Sequence, residues 1–195
     1  MPGAPTTSLI GGVVHVPPDQ RAGRLEEIWL AGAAAEPMRR VPAAAAVAGL
    51  GLAGDRYALG GGTWAQYPDL EKQLTLIDRE AVTEVAREVG AELSPGDTRR
   101  NLVTTGIDLP SLVGQWFTVG DALLFGMKRC PPCTHLERLT GLRLVKAMVH
   151  RGGINAAVFA GGGITEGDVV RWLSEADAAA LGAPTGADRP VPRIV

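Results

Sequence analysis

A chain of 195 residues with 46% apolar content can bury one generous hydrophobic core, so a single domain over 1–175 followed by a flexible tail over 176–195 is expected. A net charge of −2 gives no basic excess for nucleic acid, and no apolar run approaches the roughly 18 residues of a membrane span. The start Met-Pro-Gly-Ala-Pro-Thr-Thr lacks the basic and apolar regions of a secretory leader, and two cysteines three positions apart do not make a disulfide scaffold. A reducing cytoplasmic setting with both thiols free is therefore expected.

The 26 glycines and 14 prolines divide the chain into short elements. Ser8–Val16 is β-like up to Pro17-Pro18, Leu25–Ala31 reads as a second strand, and Arg39–Val47 as a third despite its alanines. A glycine-rich loop follows over Gly49–Tyr57 and Gly60–Gly62, leading into no helix. Gln73–Ile77 has strong β propensity. Asp78 then resembles a helix cap, and Ala81, Val82, Val85, Ala86 and Val89 recur at helical spacing up to Gly90. Thr98–Thr104 reads as a strand entered by a charged edge, and Gln115–Val119 with Ala122–Met127 flank Gly120-Asp121 as a hairpin.

Short helices are expected around Thr134–Thr140 and Leu142–Arg151, then a final strand pair, Ile154–Ala160 and Asp168–Leu173. The last residues, rich in Ala, Gly and Pro, read as a poorly packed tail. Gly-Asp recurs at 54–55, 96–97, 120–121 and 167–168, at spacings too irregular for a solenoid and explained by tight turns. Many short strands with a few helices and no visible βαβ alternation point to a barrel-like, mainly β architecture rather than a Rossmann sheet.

Chemistry centres on Cys130-Pro-Pro-Cys133. The thiolate is the reactive form, and it is favoured by nearby cations or a helix N-terminus. Pro132 discourages helix before Cys133, while Thr134-His-Leu-Glu-Arg138 can be helical after it. Lys128 and Arg129 add positive charge, so Cys133 is suited to bind a soft metal, carry persulfide sulfur or act as a nucleophile. Three plainer readings stay open: a structural zinc site with His135 as a further ligand, a thioredoxin-like dithiol, and two inert packed thiols.

A second constellation is cationic and polar: Arg56 in the glycine-rich loop, Thr98, Arg99, Arg100 and Asn101 at the strand start, and Arg151 before Gly152-Gly153. Guanidinium forks match phosphate oxygens, and glycines admit backbone N–H groups to an anion, so these residues suit a pterin pyrophosphate or a similar ligand. Alternatively each arginine is solvated, or paired with Asp55, Asp78 or Asp97. His15, His135 and His150 share no metal-ligand spacing, and no Gly-x-Ser-x-Gly elbow supports a serine hydrolase. Glu80 and Glu84 read as the solvated face of their helix. Trp29, Trp64, Trp116 and Trp172 read as packing, with Trp64 best placed to line a pocket.

Taken in order, Gly51-Leu-Ala-Gly-Asp-Arg-Tyr57, Gln73–Ile77 with Glu80, Thr98–Gly106, Asp108-Leu109, Leu112-Val-Gly114, Phe117–Gly120, Cys130–Cys133, Arg151–Gly153 and Gly167–Val169 resemble the MOSC family. That family is named for the C-terminal domain of molybdenum-cofactor sulfurase. The match spans about residues 8–173, and its specificity lies in the order and spacing of the pieces. The resemblance implies a MOSC-like β-barrel with a few peripheral helices. It implies that Cys133 is the functional cysteine, ligating the metal of a molybdenum cofactor in amidoxime-reducing relatives, with Arg99 and Asn101 at the phosphate side.

For the family more broadly, the resemblance implies sulfur carriage from a pyridoxal-phosphate-dependent cysteine desulfurase. The chain carries no desulfurase, ferredoxin-like or flavin segment, so it is expected to act as a stand-alone MOSC domain with a separate desulfurase or electron-transfer partner. A reductase of N-hydroxylated compounds, a persulfide carrier and a non-catalytic anion-binding domain are the functions this leaves.

Overall fold

In a computed structural model, which describes residues 9–10, 13–14, 21–63 and 70–193, thirteen strands and four helices surround a closed barrel. Strands β1 (Leu9–Ile10) and β2 (Val13–Val14) pair antiparallel where one strand was expected over Ser8–Val16. The rest of that stretch, including His15, lies outside the described residues, as does Trp64.

The other strands are β3 (Ala22–Leu30), β4 (Arg39–Val41), β5 (Ala43–Val47), β6 (Gly51–Leu52), β7 (Leu74–Asp78) and β8 (Leu102–Thr105). They continue with β9 (Trp116–Val119), β10 (Ala122–Arg129), β11 (Ile154–Ala160), β12 (Gly162–Thr165) and β13 (Val169–Leu173). Seven strands, in the order β3, β13, β9, β10, β11, β7, β8 and back to β3, close the barrel. Closure removes the free edges that an open sheet would expose. The barrel pairings are antiparallel except β7–β8, which is parallel because helix α1 (Arg79–Val89) carries the chain across. One βαβ crossover is therefore present where the sequence shows no such alternation; the Rossmann reading stays excluded, because the rest of the barrel is built antiparallel.

Alternation along each strand sorts the side chains. Leu74, Leu76, Leu102, Phe117, Val119, Leu124, Ile154 and Ala156 fill the interior. Ile77 and Val103 point outward beneath α1, α2 (Thr134–Thr140) and α3 (Leu144–Ala147), where they meet Val82, Val85, Leu136, Leu144 and Met148. On another outer face Trp116 stacks edge-on against Phe125 and Phe159, with centroids 4.8 and 4.9 Å away. Full burial of side chains this size is worth roughly 1.5–3 kcal/mol each.

That aromatic face is covered by the segment expected to be a loose tail. Helix α4 (Glu175–Ala180) starts at a Ser174 cap and buries Ala178, and Ala183 is buried beside it. Arg189 Nη2 donates to the Gly114 carbonyl at 2.8 Å, and the Arg193 amide donates to the Met127 carbonyl at 2.9 Å. Small alanines fit closely over flat rings, and that packing was invisible to composition.

Four other expectations need correction. Arg39–Val47 breaks at Pro42 into β4 and β5, which join different sheets. Ile154–Ala160 and Asp168–Leu173 do not pair with each other: β11 lies between β10 and β7, β13 between β9 and β3, and β12 intervenes to pair with β5. The helix expected over 142–151 is a single turn, α3. Thr98 is not in a strand but ends a 3-10 turn over Pro95–Thr98, and β8 begins only at Leu102. The turn is fixed by reciprocal bonds between Ser94 and Asp97, a capping box.

Candidate functional site

A cleft of about 330 Å³ opens on the outer face of the barrel, between the helical cap and the loop that carries the two cysteines. Its floor is a cross-strand row. Lys128 on β10 faces Asn155 on β11, and Asn155 faces Thr75 on β7. Thr75 is outward because Leu74 and Leu76 are inward, and Asn155 because Ile154 and Ala156 are inward. A bulge between Gly126 and Lys128 adjusts β10, so that Lys128 joins the row.

The second wall comes from the glycine-rich loop. Arg56 is 5% exposed and pairs with Asp55 at 3.1 Å, while its Nη2 donates to the Arg99 carbonyl at 3.2 Å. The same Asp55 oxygen accepts from Asn101 Nδ2 at 3.1 Å, and Asn101 Oδ1 accepts from the Thr75 hydroxyl at 2.9 Å. Asn101 thus ties β8 to β7 and to the loop. The Arg56 guanidinium also lies 5.1 Å from the Tyr57 ring centroid, within cation–π range. Burial raises the Tyr57 hydroxyl, chiefly, against the opposing pull of Arg56, so the phenol stays protonated at neutral pH.

Between these walls the chain turns sharply. Arg99 has a left-handed backbone, φ 58°, directly after the 3-10 turn. This directs Arg99 into the cleft, while Thr98 is fully buried and bonded to the Pro95 carbonyl at 2.7 Å. Burial, with Arg56 adding to it, lowers the Arg99 guanidinium, which nevertheless stays cationic.

Arg100 is 7% exposed and donates to four carbonyl oxygens. Nε reaches Gly152 at 2.7 Å, Nη1 reaches Thr98 at 3.1 Å, and Nη2 reaches Cys130 and Pro131 at 3.0 and 3.4 Å. It clamps the cysteine loop to the barrel. Gly152 and Gly153 make that approach possible, since a Cβ on either would lie 2.0 Å from the Cys130 oxygen or 1.8 Å from the Leu76 oxygen.

Cys133 is exposed at the edge of the cleft and occupies the N-cap position of α2, with extended φ −138° and ψ 159°. Cys130 lines the same cleft but is less exposed, and burial raises its thiol despite the opposing charge of Arg100. Five cations, Arg56, Lys72, Arg99, Arg100 and Lys128, line the cleft, and no described lining residue is a carboxylate. Arg56 and Lys128 have acids behind the wall, Asp55 and Glu71, whereas Arg99 and Arg100 donate to carbonyl oxygens. Two buried polar atoms at the cleft, His135 Nε2 and Asn155 Oδ1, have no hydrogen-bond partner. Such atoms are costly unless a ligand or water completes them.

The structure thus brings Cys133, Arg56, Arg99 and Arg100 to one cleft. Thr98 and Asn101 stand behind the wall as buried supports. Arg151 is elsewhere: it pairs with Glu84 at 3.3 Å and Glu88 at 2.7 Å on α1, so the ion-pair alternative describes it. Glu84 is accordingly a partner on the helix surface, and Glu80 accepts from the Thr105 hydroxyl. Tyr57, Lys72, Thr75 and Asn155 were missed. The signal for Thr75 and Asn155 was present as single polar residues interrupting apolar runs; their convergence needed the strand register. Among the described residues no group of three or more His, Cys, Asp or Glu could hold a metal ion. The zinc reading of Cys130, Cys133 and His135 therefore lacks a ligand set.

The MOSC domain model matches residues 50–171, which include the loop of Arg56, the arginine turn, both cysteines and every strand of the cleft floor. The chain belongs to the MOSC domain family. Solved structures of similar fold include the YuaD protein of Bacillus subtilis, 18% identical, with TM-score 0.65, covering 76% of this chain and 94% of that one. YiiM from Geobacillus stearothermophilus is 15% identical with TM-score 0.62, covering 78% of this chain and 75% of that one. YiiM from Escherichia coli is 21% identical with TM-score 0.58, covering 85% and 81%. No curated protein matches the sequence. No helix among the described residues is long and apolar enough to cross a membrane.

Proposed function

We propose that this MOSC domain binds a molybdenum cofactor in the cleft, with Cys133 as the soft sulfur ligand, Arg56 and Arg99 facing its phosphate, and Arg100 bracing the cysteine loop beside them. The observation that carries the reading is an exposed thiol at the edge of a cleft whose described lining residues include five cations and no carboxylate. The donor set fits such a group. Among the described residues side chains alone supply no metal cage, so the reading has the metal arrive with its own ligands and take Cys133 as an additional one. The unpartnered Asn155 Oδ1 and His135 Nε2 offer polar contacts for the heterocyclic part.

When bound, the cofactor supplies two-electron redox chemistry at the metal, suited to reduction of N-hydroxylated compounds with electrons from a separate cytoplasmic donor. The chain's own residues bind and orient. Arg99 and Arg56 meet the anion, Arg100 holds the Cys130–Pro131 carbonyls so that Cys133 keeps its place, and Tyr57 offers a protonated hydroxyl at the cleft.

A second reading rests on the exposure of Cys133 at a helix N-cap: a persulfide carrier receiving sulfur from a pyridoxal-phosphate-dependent cysteine desulfurase. A non-catalytic anion-binding domain is the third. The deciding experiment is metal and pterin analysis of protein from cofactor-producing cells, wild type beside Cys133→Ser. Molybdenum and pterin in the wild type, with molybdenum lost in the variant, is the expected result. Neither in the wild type rejects the cofactor reading, and one added sulfur on Cys133 after incubation with desulfurase and cysteine then selects the carrier.

A further inference from the structure

The two cysteines line one cleft, yet the chain between them holds them apart. Pro131 and Pro132 fix φ near −65°, and a residue before proline is confined to extended backbone, which sets Cys130 and Pro131. Residues 130–133 contain neither turn nor bend, and Cys133 is itself extended. An extended segment that advances about 3.1 Å per residue, as polyproline does, sets α-carbons three residues apart at roughly 9 Å. A disulfide needs them within about 4.4–6.8 Å. Arg100 pins the Cys130 and Pro131 carbonyls from behind, which opposes any folding of the loop that would close the gap.

The consequences for the two thiols differ. Burial raises Cys130, so it is a poor attacking group, while Cys133 is exposed beside a cationic wall. Asn155, which is 9% exposed and lines the same cleft, carries a buried oxygen with no hydrogen-bond partner. That combination favours an anionic ligand that also carries an N–H or O–H donor.

We propose that Cys133 is a thiolation site selective for anionic, amide-bearing low-molecular-weight disulfides such as glutathione disulfide, and that the Pro-Pro spacer stops Cys130 from reversing the modification. The Cys133 thiol gives its proton to solvent, and its sulfur attacks one sulfur of the disulfide. The reagent's S–S bond breaks as the Cys133–S–S–R bond forms, and the second half leaves as a thiolate that takes up a proton. The low-molecular-weight disulfide is itself the oxidant: as Cys133 is oxidised into the mixed disulfide, the other half of the reagent is reduced to a free thiol, and nothing further is required. The adduct persists until an external thiol attacks it, because the neighbouring thiol cannot reach. Occupying Cys133 in this way switches off whatever chemistry that thiol performs, whether metal ligation or sulfur carriage.

The test uses the reduced full-length chain, with glutathione disulfide and the cationic disulfide cystamine compared at equal concentration by intact-mass and peptide mass spectrometry. One glutathionyl adduct on Cys133 is expected, forming at least about tenfold faster than the cystamine adduct at low salt, with the preference shrinking as salt is raised. Cys133→Ser should take no adduct. Pro131→Gly combined with Pro132→Gly should instead lose two hydrogens and the glutathionyl group as Cys130 resolves it. An intramolecular disulfide in the wild type, an adduct on Cys130, or equal or faster reaction with cystamine overturns the proposal. The wild-type measurements decide it even if the glycine variant does not fold.

Discussion

Strand β7 ends in opposite electrostatic worlds. At its Thr75 end the cleft gathers five cations; at its Asp78 end Asp78 comes close to the carboxylates of Glu80 and Asp108. Both ends crowd like charges, and they resolve the conflict differently. The arginines keep their protons and are held by backbone carbonyls, as Arg100 is by four of them. The carboxyl of Asp78 makes no helix-capping bond, and burial with those two neighbours pushes it up to about 7. The arginine charge is retained with backbone carbonyls accepting its hydrogen bonds, whereas at Asp78 burial and the neighbouring carboxylates outweigh the hydrogen bond its carboxylate accepts from its own backbone. The retained charge is the part available to a ligand.

The comparison breaks most visibly at Arg100. Replacing it by Ala leaves buried carbonyls of Thr98, Cys130 and Gly152 unsatisfied and frees the cysteine loop, at a cost of about 3–5 kcal/mol in urea unfolding. Arg100→Lys should recover only a minor part of this, because an ammonium cannot span carbonyls on three sides. Recovery by Lys to the wild-type level would mean that charge, not the fork, is what matters there.

At the acidic end the effect has a defined pH window. The folded carboxyl of Asp78 titrates near 7, against 3.8 for the ordinary group. Between these values the unfolded chain releases a proton that the folded protein keeps, so stability falls as pH rises from about 4 to 7 and then levels off. Asp78→Asn should abolish that decline, stabilising the protein by on the order of 3 kcal/mol at pH 8 and leaving pH 4 nearly unchanged. Parallel wild-type and variant curves across that range would show that Asp78 is ionised in the fold.

These two ends also mark how much was legible in the sequence. The barrel class, the α1 helix, the β9–β10 hairpin and the cysteine loop before α2 follow from periodicity, turn residues and the order of motifs, and the structure has each of them. The cationic wall was legible as a cluster of residue types, but its division was not. Thr98, Arg99, Arg100 and Asn101 are consecutive, yet only Arg99 and Arg100 reach the cleft, because a left-handed residue interrupts what alternation would have treated as a strand. The Lys128–Asn155–Thr75 row joins three strands distant in sequence, and only their register creates it. The packed C-terminal segment was hidden for a related reason: alanine has no pattern strong enough to announce a face.

Arg99 separates the two meanings of a cleft arginine, support and recognition. Its φ of 58° is unfavourable for a side chain with a Cβ, and glycine adopts it freely. Arg99→Gly should therefore raise stability by up to about 1 kcal/mol while weakening pyrophosphate binding severalfold in calorimetric titration. Opposite signs in the two measurements are the signature of a residue kept for its ligand at a local conformational cost. A loss in both would place Arg99 with Arg100 among the supports.

Arg151 gives the smallest effect and the sharpest control. It shares the motif's charge and glycine neighbours, but its partners are Glu84 and Glu88 on the exposed side of α1, with the Ala147 carbonyl as a third acceptor. Exposed pairs of this kind contribute about 0.2–1 kcal/mol and are screened by salt. Arg151→Ala should shift the unfolding midpoint slightly at low salt and less at high salt, with pyrophosphate affinity unchanged. A drop in affinity matching that of Arg99→Gly would mean that the anion's reach extends past the cleft to α1, and that distance from Cys133 does not separate the two classes of arginine.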